Sequence, residues 1–203
     1  MPEVLASSMI DKKYFFQSIK DKKLFSKLTV PRVINMESVI NMWNQKGYTD
    51  LRWLAYMFAT MYWETAQTMQ PIEEYCKGKG KLYGSKIKRS GVKYLCPDKK
   101  YYGRGFVQLT WYENYELMGR LLGFDLLKNP ELCLNTEVAT KVLFEGMTKG
   151  SSSFGDFTGK CLEMYFNKTT EDWLRARYII NGKDQAARIA NYGKTFLSCL
   201  KPS

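Results

Sequence analysis

The chain has 203 residues, of which 45% are hydrophobic, so it is long enough to bury the core of one globular domain. It carries 31 Lys and Arg against 20 Asp and Glu, and the net charge of +11 favours a polyanionic partner. It contains no histidine, which excludes the Ser-His-Asp triad, the Cys-His dyad and every zinc site with His ligands. Acid–base catalysis near neutral pH therefore falls to Glu, Asp, Lys, Tyr or Cys.

The first residues and the cysteines predict a chain without a targeting segment, a disulfide framework or a cofactor. Residues 1–13 lack the apolar stretch of a signal peptide, and the apolar run 51–63 is shorter than the ~20 residues of a membrane span. Five cysteines without CxxC spacing predict reduced thiols and no metal site, with Cys76 and Cys96 as the one pair to test for a bridge. We expect such a chain to be made in a cytoplasm.

Hydrophobic periodicity predicts a mainly α fold with at most one small hairpin. The predicted helices span residues 12–27, 33–43, 51–65, 110–123, 135–147, 157–166, 170–180 and 185–200. Asp50 is the expected N-cap of the third helix, and Pro71 ends that stretch of chain. A short extended segment is predicted at 106–109 and a turn at Ser151–Ser153.

A long basic loop is predicted between Gly78 and Gly105. Lys77 to Arg104 contains ten Lys or Arg, with Asp98 as its one acidic residue. The glycine spacing does not match a phosphate-binding loop, so the nucleotide-binding interpretation fails. A basic run is commonly a solvated loop, and charge alone does not choose between nucleic acid, teichoic acid, lipopolysaccharide and a membrane surface.

Without histidine, a pair of carboxylates is the leading catalytic device. Glu64 is the one acidic residue of the third helix after its cap, and Tyr62 and Trp63 precede it directly. Apolar neighbours disfavour the charged form of a carboxyl and raise its pKa, which suits a general acid. The alternative is a Glu on the solvent-facing side of an amphipathic helix.

The second carboxylate follows the helix-breaking Pro71. Glu74 has polar neighbours and precedes the basic loop, which favours its ionised form and the role of general base. Glu73 competes for this role on spacing alone. An inverting glycosidase separates its two carboxyls by about 6.5–9.5 Å to admit a water, and a broken helix permits such a layout.

Four segments together resemble glycoside hydrolase family 19, in the form carried by phage and prophage lysis enzymes. They read LAYMFATMYWETAQTMQPIEEY, YYGRGFVQLTWYENY, KNPELCLNTEVATKVLFEGM and ARYIINGKDQAARIANY, and the similarity runs over residues 48–196. The resemblance implies one catalytic domain over 1–203, with a lysozyme-like, two-lobed helical fold around a substrate cleft. It also implies an inverting mechanism.

The resemblance assigns roles position by position. It implies Glu64 as general acid, Glu74 as general base, Gln108, Asn114 and Asn181 as sugar-binding residues, Thr110 as holder of the attacking water, and Arg188 as a second-layer residue behind the base. Tyr102 is assigned to the groove, where its ring stacks on sugar; aromatic residues beside glycine turns equally often fill a core. The family has His before its acid and this chain has Trp63, which puts the activity level and pH optimum in doubt.

The functional prediction is a glycosidase that cuts β-1,4 bonds of N-acetylated cell-wall glycan, as a phage or prophage lysis enzyme acting on peptidoglycan. The basic loop is expected to contact the anionic envelope, and neither a cofactor nor nucleic acid is an expected partner. Alternatives are a chitinase, a secreted antibacterial glycan-cleaving toxin and, from another class, a basic nucleic-acid-binding protein. The last finds support in the aromatic residues of the basic loop, although no known nucleic-acid motif is present.

Overall fold

A computed structural model describes residues 9–149 and 157–203; the turn predicted at Ser151–Ser153 lies outside them. Six α-helices are present in these two ranges: α1 Lys12–Asp21, α2 Val30–Lys46, α3 Leu51–Glu64, α4 Tyr112–Leu122, α5 Thr136–Thr148 and α6 Ala186–Leu197. Four short 3-10 helices span Leu82–Ser85, Pro130–Leu134, Leu162–Met164 and Arg175–Ile179. The predicted mainly α fold is confirmed. None of the described helices is long and apolar enough to cross a membrane.

Local sequence explains where the helices begin and end. The Asp50 carboxylate accepts a hydrogen bond from the Arg52 N–H and caps α3, as predicted, and Asn135 caps α5 in the same way. Gly47 ends α2 in the left-handed region, with φ of +68°. These caps fix the start of α3, the helix that ends at Glu64.

Helix α3 is the centre of the core. Every side chain from Leu54 to Tyr62 is buried, and α3 packs along α6. The approach is close because Gly193 in α6 has no side chain: a Cβ there would lie 2.6 Å from the Trp173 ring. Since α3 is held along its length, the position of Glu64 at its end is fixed by packing.

A small antiparallel hairpin joins two of the segments that carry the family resemblance. Strand β1, Ile72–Glu73, pairs antiparallel with β2, Arg104–Gly105, with Glu73 opposite Arg104. The extended stretch predicted at 106–109 is wrong, because the chain turns at once and Leu109 bonds back to Arg104. These two strands form the only named sheet among the described residues, which agrees with the predicted mainly α fold.

Two predicted helices, over 157–166 and 170–180, are also wrong. The described residues there form only the 3-10 turns Leu162–Met164 and Arg175–Ile179. The Asn167 side chain accepts the N–H groups of Thr169 and Thr170, and such local bonds compete with helix formation. The first helix is likewise shorter than predicted, since it stops at Asp21 and Lys23 adopts a left-handed φ of 52°.

Candidate active site

A cleft of about 370 Å³ brings the end of α3, the start of α4 and the segment around 180 together. Its lining residues are Glu64, Tyr83, Arg89, Val107, Gln108, Thr110, Trp111, Asn114, Phe157, Thr158, Ile180 and Asn181. Five of the eight predicted site residues are among them. A larger depression of about 680 Å³ lies between α2 and α5, but it is open and contains none of the predicted residues. The smaller cleft is therefore the candidate active site.

Glu64 is the carboxylate of this cleft. Its side chain is 15% exposed, and one oxygen accepts a hydrogen bond of 2.7 Å from Nη1 of Arg177. Burial raises the pKa of Glu64, and the charge of Arg177 opposes this effect without cancelling it. A carboxyl with a raised pKa retains its proton at higher pH, which is the property a general acid requires.

Arg177 is the functional residue that the sequence analysis missed. It is 1% exposed, and its Nε donates to the carbonyl oxygen of Asp184 at 2.9 Å. A buried arginine requires a partner for its charge, and here the partner is Glu64. The sequence did contain a signal for Arg177. It is the single charged residue in the apolar stretch ARYII, as Glu64 is the single acidic residue of α3.

Glu74 lies directly behind the cleft lining. One carboxylate oxygen accepts from the Tyr83 hydroxyl at 3.1 Å and the other from the N–H of Gly103 at 3.3 Å. Tyr83 itself lines the cleft and contacts the edge of the Trp111 ring. Burial, followed by the charge of Glu74, raises the pKa of Tyr83 to about 12, so the hydroxyl keeps its proton and remains a donor. Glu74 is thus one hydrogen bond from the cleft.

Glu73 points to the opposite face of the hairpin, as adjacent strand residues do. Its carboxylate binds Lys77 at 2.7 Å and accepts from the Tyr102 hydroxyl at 2.8 Å, with Arg104 at 3.9 Å. These contacts, that with Lys77 first, lower the pKa of Glu73. They give Glu73 partners on the hairpin, while its neighbour Glu74 contacts the cleft wall.

The segment from Gln108 to Asn114 forms one wall of the cleft in an uncommon backbone conformation. Gln108 and Trp111 have φ of 53° and 79°, values that non-glycine residues adopt rarely. The Gln108 amide donates to the carbonyl oxygens of Ile72 and Gly105, which ties this wall to the hairpin. The strained turn therefore holds Gln108 and Trp111 at fixed positions beside the cleft.

Two polar side chains of this wall donate hydrogen bonds to backbone carbonyl oxygens. The Thr110 hydroxyl donates to the Gln108 carbonyl at 2.7 Å, and the Asn114 amide donates to the Thr110 carbonyl at 2.8 Å. Their oxygens keep acceptor capacity for a sugar hydroxyl, an N-acetyl N–H or a water. This arrangement suits the predicted roles of Thr110 and Asn114, which stay predictions.

Two predicted residues have other surroundings than expected. Tyr102 was expected in the groove, but it is 8% exposed, its ring packs under Arg104 at 3.7 Å and its hydroxyl binds Glu73. It belongs to the interior of the hairpin, which corrects its predicted placement. Arg188 was expected behind the base; its guanidinium lies 5.4 Å from the centre of the Trp63 ring. The arginine that contacts a candidate catalytic carboxylate is Arg177, on Glu64.

The predicted basic loop is folded, and its first half positions Tyr83. Backbone atoms of Gly78 and Gly84 touch, since a Cβ added to Gly84 would lie 1.9 Å from the Gly78 carbonyl oxygen. The contact between Gly78 and Gly84 closes residues 78–84 into a small loop that contains Tyr83. The backbones come this close only because neither glycine has a side chain. The first and last glycines of GKGKLYG therefore fix the position of Tyr83, the residue that joins Glu74 to the cleft.

The second half is a short hairpin over residues 86–94. Its backbone bonds join Lys88 to Val92 and Tyr94 to Lys86, with the turn at Gly91. The hairpin is attached to the cleft wall because the buried Tyr94 packs on Tyr101 and Tyr112, at 5.5 and 4.9 Å between ring centres. Cys76 and Cys96, the pair considered for a bridge, are both exposed free thiols, so that bridge is not formed.

Comparison with known proteins points to one family. The family model described as chitinase class I matches residues 53–152. An acidic endochitinase SP2 of Beta vulgaris is 42% identical over 114 residues, which cover 55% of this chain and 37% of that protein. Inactive chitinase-like protein 1 of Hevea brasiliensis is 40% identical over 77 residues, covering 37% of this chain and 24% of that protein. The chain thus spans about a quarter to a third of the length of these two relatives.

The fold gives a broader match than the sequence. The crystal structure of a bacterial family 19 chitinase superimposes with a TM-score of 0.59 and covers 94% of each chain, at 21% sequence identity. At this identity the match concerns the fold alone. It agrees with the predicted lysozyme-like helical architecture.

Proposed function

We propose that this chain is a member of glycoside hydrolase family 19 and an inverting glycosidase that cleaves β-1,4 bonds in N-acetylated cell-wall glycan. The observation that carries the proposal is the buried Glu64 in a cleft otherwise lined mainly by amides, hydroxyls and aromatic rings. Amides and hydroxyls hydrogen-bond sugar hydroxyls and N-acetyl groups, while aromatic faces stack on sugar rings.

The two carboxylates divide the reaction between them. Glu64 retains its proton because burial raises its pKa, and it donates that proton to the oxygen of the leaving sugar. Glu74, which accepts a hydrogen bond of 3.1 Å from the Tyr83 hydroxyl of the cleft wall, takes a proton from the water that attacks the opposite face of the sugar. Water attacks directly, so the product has inverted anomeric configuration.

We further propose peptidoglycan as the substrate and phage-type lysis as the role, with synthesis in the host cytoplasm and action at the wall. The net charge of +11 supports an anionic envelope as the site of action. A chitinase is the alternative that the names of the relatives favour. A basic nucleic-acid-binding protein would instead bind oligonucleotides with steep salt dependence and cleave no glycan.

Mass spectrometry of soluble fragments decides between these functions. Purified peptidoglycan and chitin oligomers are digested in parallel, and the new reducing ends are identified. Muropeptides with a new reducing-end amino sugar support the proposal. Fragments from chitin alone support the chitinase, and the absence of fragments from both substrates contradicts the glycosidase proposal.

Salt should slow the lysis of whole walls more than the hydrolysis of small substrates. Exposed charges are screened over ~10 Å at 0.1 M salt, so attraction between the basic loop and an anionic wall weakens as salt is added. We expect several-fold slower turbidity loss of permeabilised bacteria between low salt and about 0.5 M, with little change for a neutral oligosaccharide.

A pair of charge variants localises this effect. Replacing Lys79, Lys81 and Lys99 by Gln removes three exposed charges from the loop, and replacing Lys13, Lys20 and Lys22 removes three elsewhere. Only the loop variant should lose salt sensitivity on whole walls. Equal salt sensitivity of both substrates, or of both variants, contradicts delivery by the loop.

Chelators and thiol reagents should leave activity intact. The chain has no histidine, and the described residues contain no group of three or more His, Cys, Asp or Glu placed to hold a metal ion. Cys133 is buried, which raises its pKa to about 12 and makes it unreactive. We expect unchanged turnover in EDTA and after alkylation of accessible thiols. Loss of activity in EDTA that zinc restores would contradict the two-carboxylate mechanism.

A further inference from the structure

The cleft lining carries one positively charged side chain. Apart from Glu64, the one charged side chain in the lining is Arg89, which comes from the basic hairpin 86–94. Arg177 is buried and committed to Glu64, so it does not supply charge to the substrate. Arg89 is therefore the cation that a bound glycan meets.

Arg89 is held beside the cleft by contacts at both ends. Its backbone N–H donates to a carboxylate oxygen of Glu113 at 2.8 Å, next to Asn114 in α4. Its guanidinium lies 5.7 Å from the centre of the Trp111 ring, within cation–π range. Arg89 is nevertheless an exposed residue, and its contact with Glu113 is made by the backbone N–H and not by the guanidinium. Arg89 is positioned but available.

A guanidinium so placed matches a carboxylate, because its parallel N–H donors bind both carboxylate oxygens. Chitin has no carboxylate. Peptidoglycan has a lactyl ether on every second sugar, whose carboxyl is a free carboxylate where no stem peptide is attached, and the stem peptides themselves carry carboxylates. We propose that Arg89 binds a carboxylate of the substrate glycan and thereby selects carboxylated strands over neutral ones. This inference rests on the proposed function and adds a specificity-determining residue to it.

Matched substrates isolate the interaction. Peptide-free glycan strands are used with the lactyl carboxylates free, or after carbodiimide coupling to methylamine, which removes the charge and leaves the glycosidic bonds unchanged. The ratio of kcat/KM for free over amidated strands measures carboxylate selection. We expect a ratio of about 10 for the unmodified protein, a value typical of one charge-assisted hydrogen-bonded pair.

Arg89→Gln should reduce this ratio to about 1, and Arg89→Lys should give an intermediate value because a lysine keeps the charge but loses the two-point geometry. Lys93→Gln is the matched control, since Lys93 lies in the same hairpin, is exposed and is outside the cleft lining. Its ratio should equal that of the unmodified protein. Dissociation constants of the two strand types for the Glu64→Gln variant, with and without Arg89→Gln, test the same selection without turnover.

Three outcomes would overturn the inference. The first is an Arg89→Gln variant that loses the same factor on free and amidated strands, because that indicates a structural role. The second is a ratio that Arg89→Gln leaves unchanged. The third is a protein that cleaves chitin oligomers but cleaves neither the free nor the amidated glycan strands. That result overturns the peptidoglycan proposal together with this inference. In the first two outcomes strand cleavage persists, so the proposed function stands while the role of Arg89 is rejected.

Discussion

Glu64→Gln should lower turnover by about 10²–10⁴-fold on a glycan with an ordinary sugar leaving group, and the protein should remain folded. Gln has the shape of Glu and still accepts from Arg177, but it has no proton of suitable acidity to give. Steady-state kinetics with N-acetylated oligosaccharides measure the loss. Far-UV circular dichroism and the thermal midpoint show whether the fold is intact.

A substrate with an acidic phenol leaving group provides the control. Such a group departs without protonation, so Glu64→Gln should recover most of its activity on it. The pH profile supplies a second readout: since the acid must be protonated, activity of the unmodified protein should fall as pH rises through the raised pKa of Glu64. That fall should be absent in the variant on the activated substrate. A variant that stays inactive on the phenol substrate would contradict the role of general acid.

Glu74→Gln should lose a similar factor, about 10²–10⁴-fold, and should gain nothing from the activated leaving group. The reason is that the base acts on the water, and this step is needed whatever group departs. Glu73→Gln is the matched control, because the two residues are adjacent and differ in which face of the hairpin they occupy. It should keep turnover while it loses some stability through its contacts with Lys77 and Tyr102.

The anomeric form of the product completes this test. Nuclear magnetic resonance during the first minutes of the reaction should show the inverted anomer, because water attacks the sugar directly. If Glu73→Gln is the damaging change and Glu74→Gln is harmless, the base is one residue earlier than proposed. If neither change matters, the carboxylate pair is wrong and the basic binding protein becomes the better hypothesis.

Sequence predicted best what is determined locally. Helix α3 and its Asp50 cap follow from side-chain periodicity and capping, which act over a few residues, whereas the end of α3 at Glu64 comes seven residues before the proline predicted to stop it. The cleft residues Gln108, Thr110 and Asn114 lie within one short segment, so identifying the segment located all three.

The errors have non-local causes. Residues 170–180 have helical periodicity, but the guanidinium of Arg52 binds the carbonyl oxygens of Asn167 and Thr170 from another part of the fold. Those contacts, with the Asn167 turn, replace helix bonds. Tyr102 lies between glycine turns, and its side of the hairpin depends on pairing with residues about 30 positions earlier. Neither cause is visible in a window of sequence.

The Trp in place of the family's His now has a structural context. Trp63 directly precedes Glu64, and Arg188 lies over its ring at 5.4 Å. A cation over an aromatic face is a stabilising contact that leaves the arginine charged. Trp63, which precedes the proposed acid, therefore contacts the positively charged side chain of Arg188. The role of Arg188 behind the base stays a prediction.

The pair formed by Glu64 and Arg177 also concerns the order of events during synthesis. Its two residues are 113 positions apart, and the α3 core is closed only by α6, which follows Arg177. A nascent chain that has emerged as far as α5 contains both candidate catalytic carboxylates and most of the cleft wall, yet lacks the guanidinium that contacts Glu64. Contacts of such long sequence separation form late. The candidate site is thus completed only once α6 has been made and packs on α3.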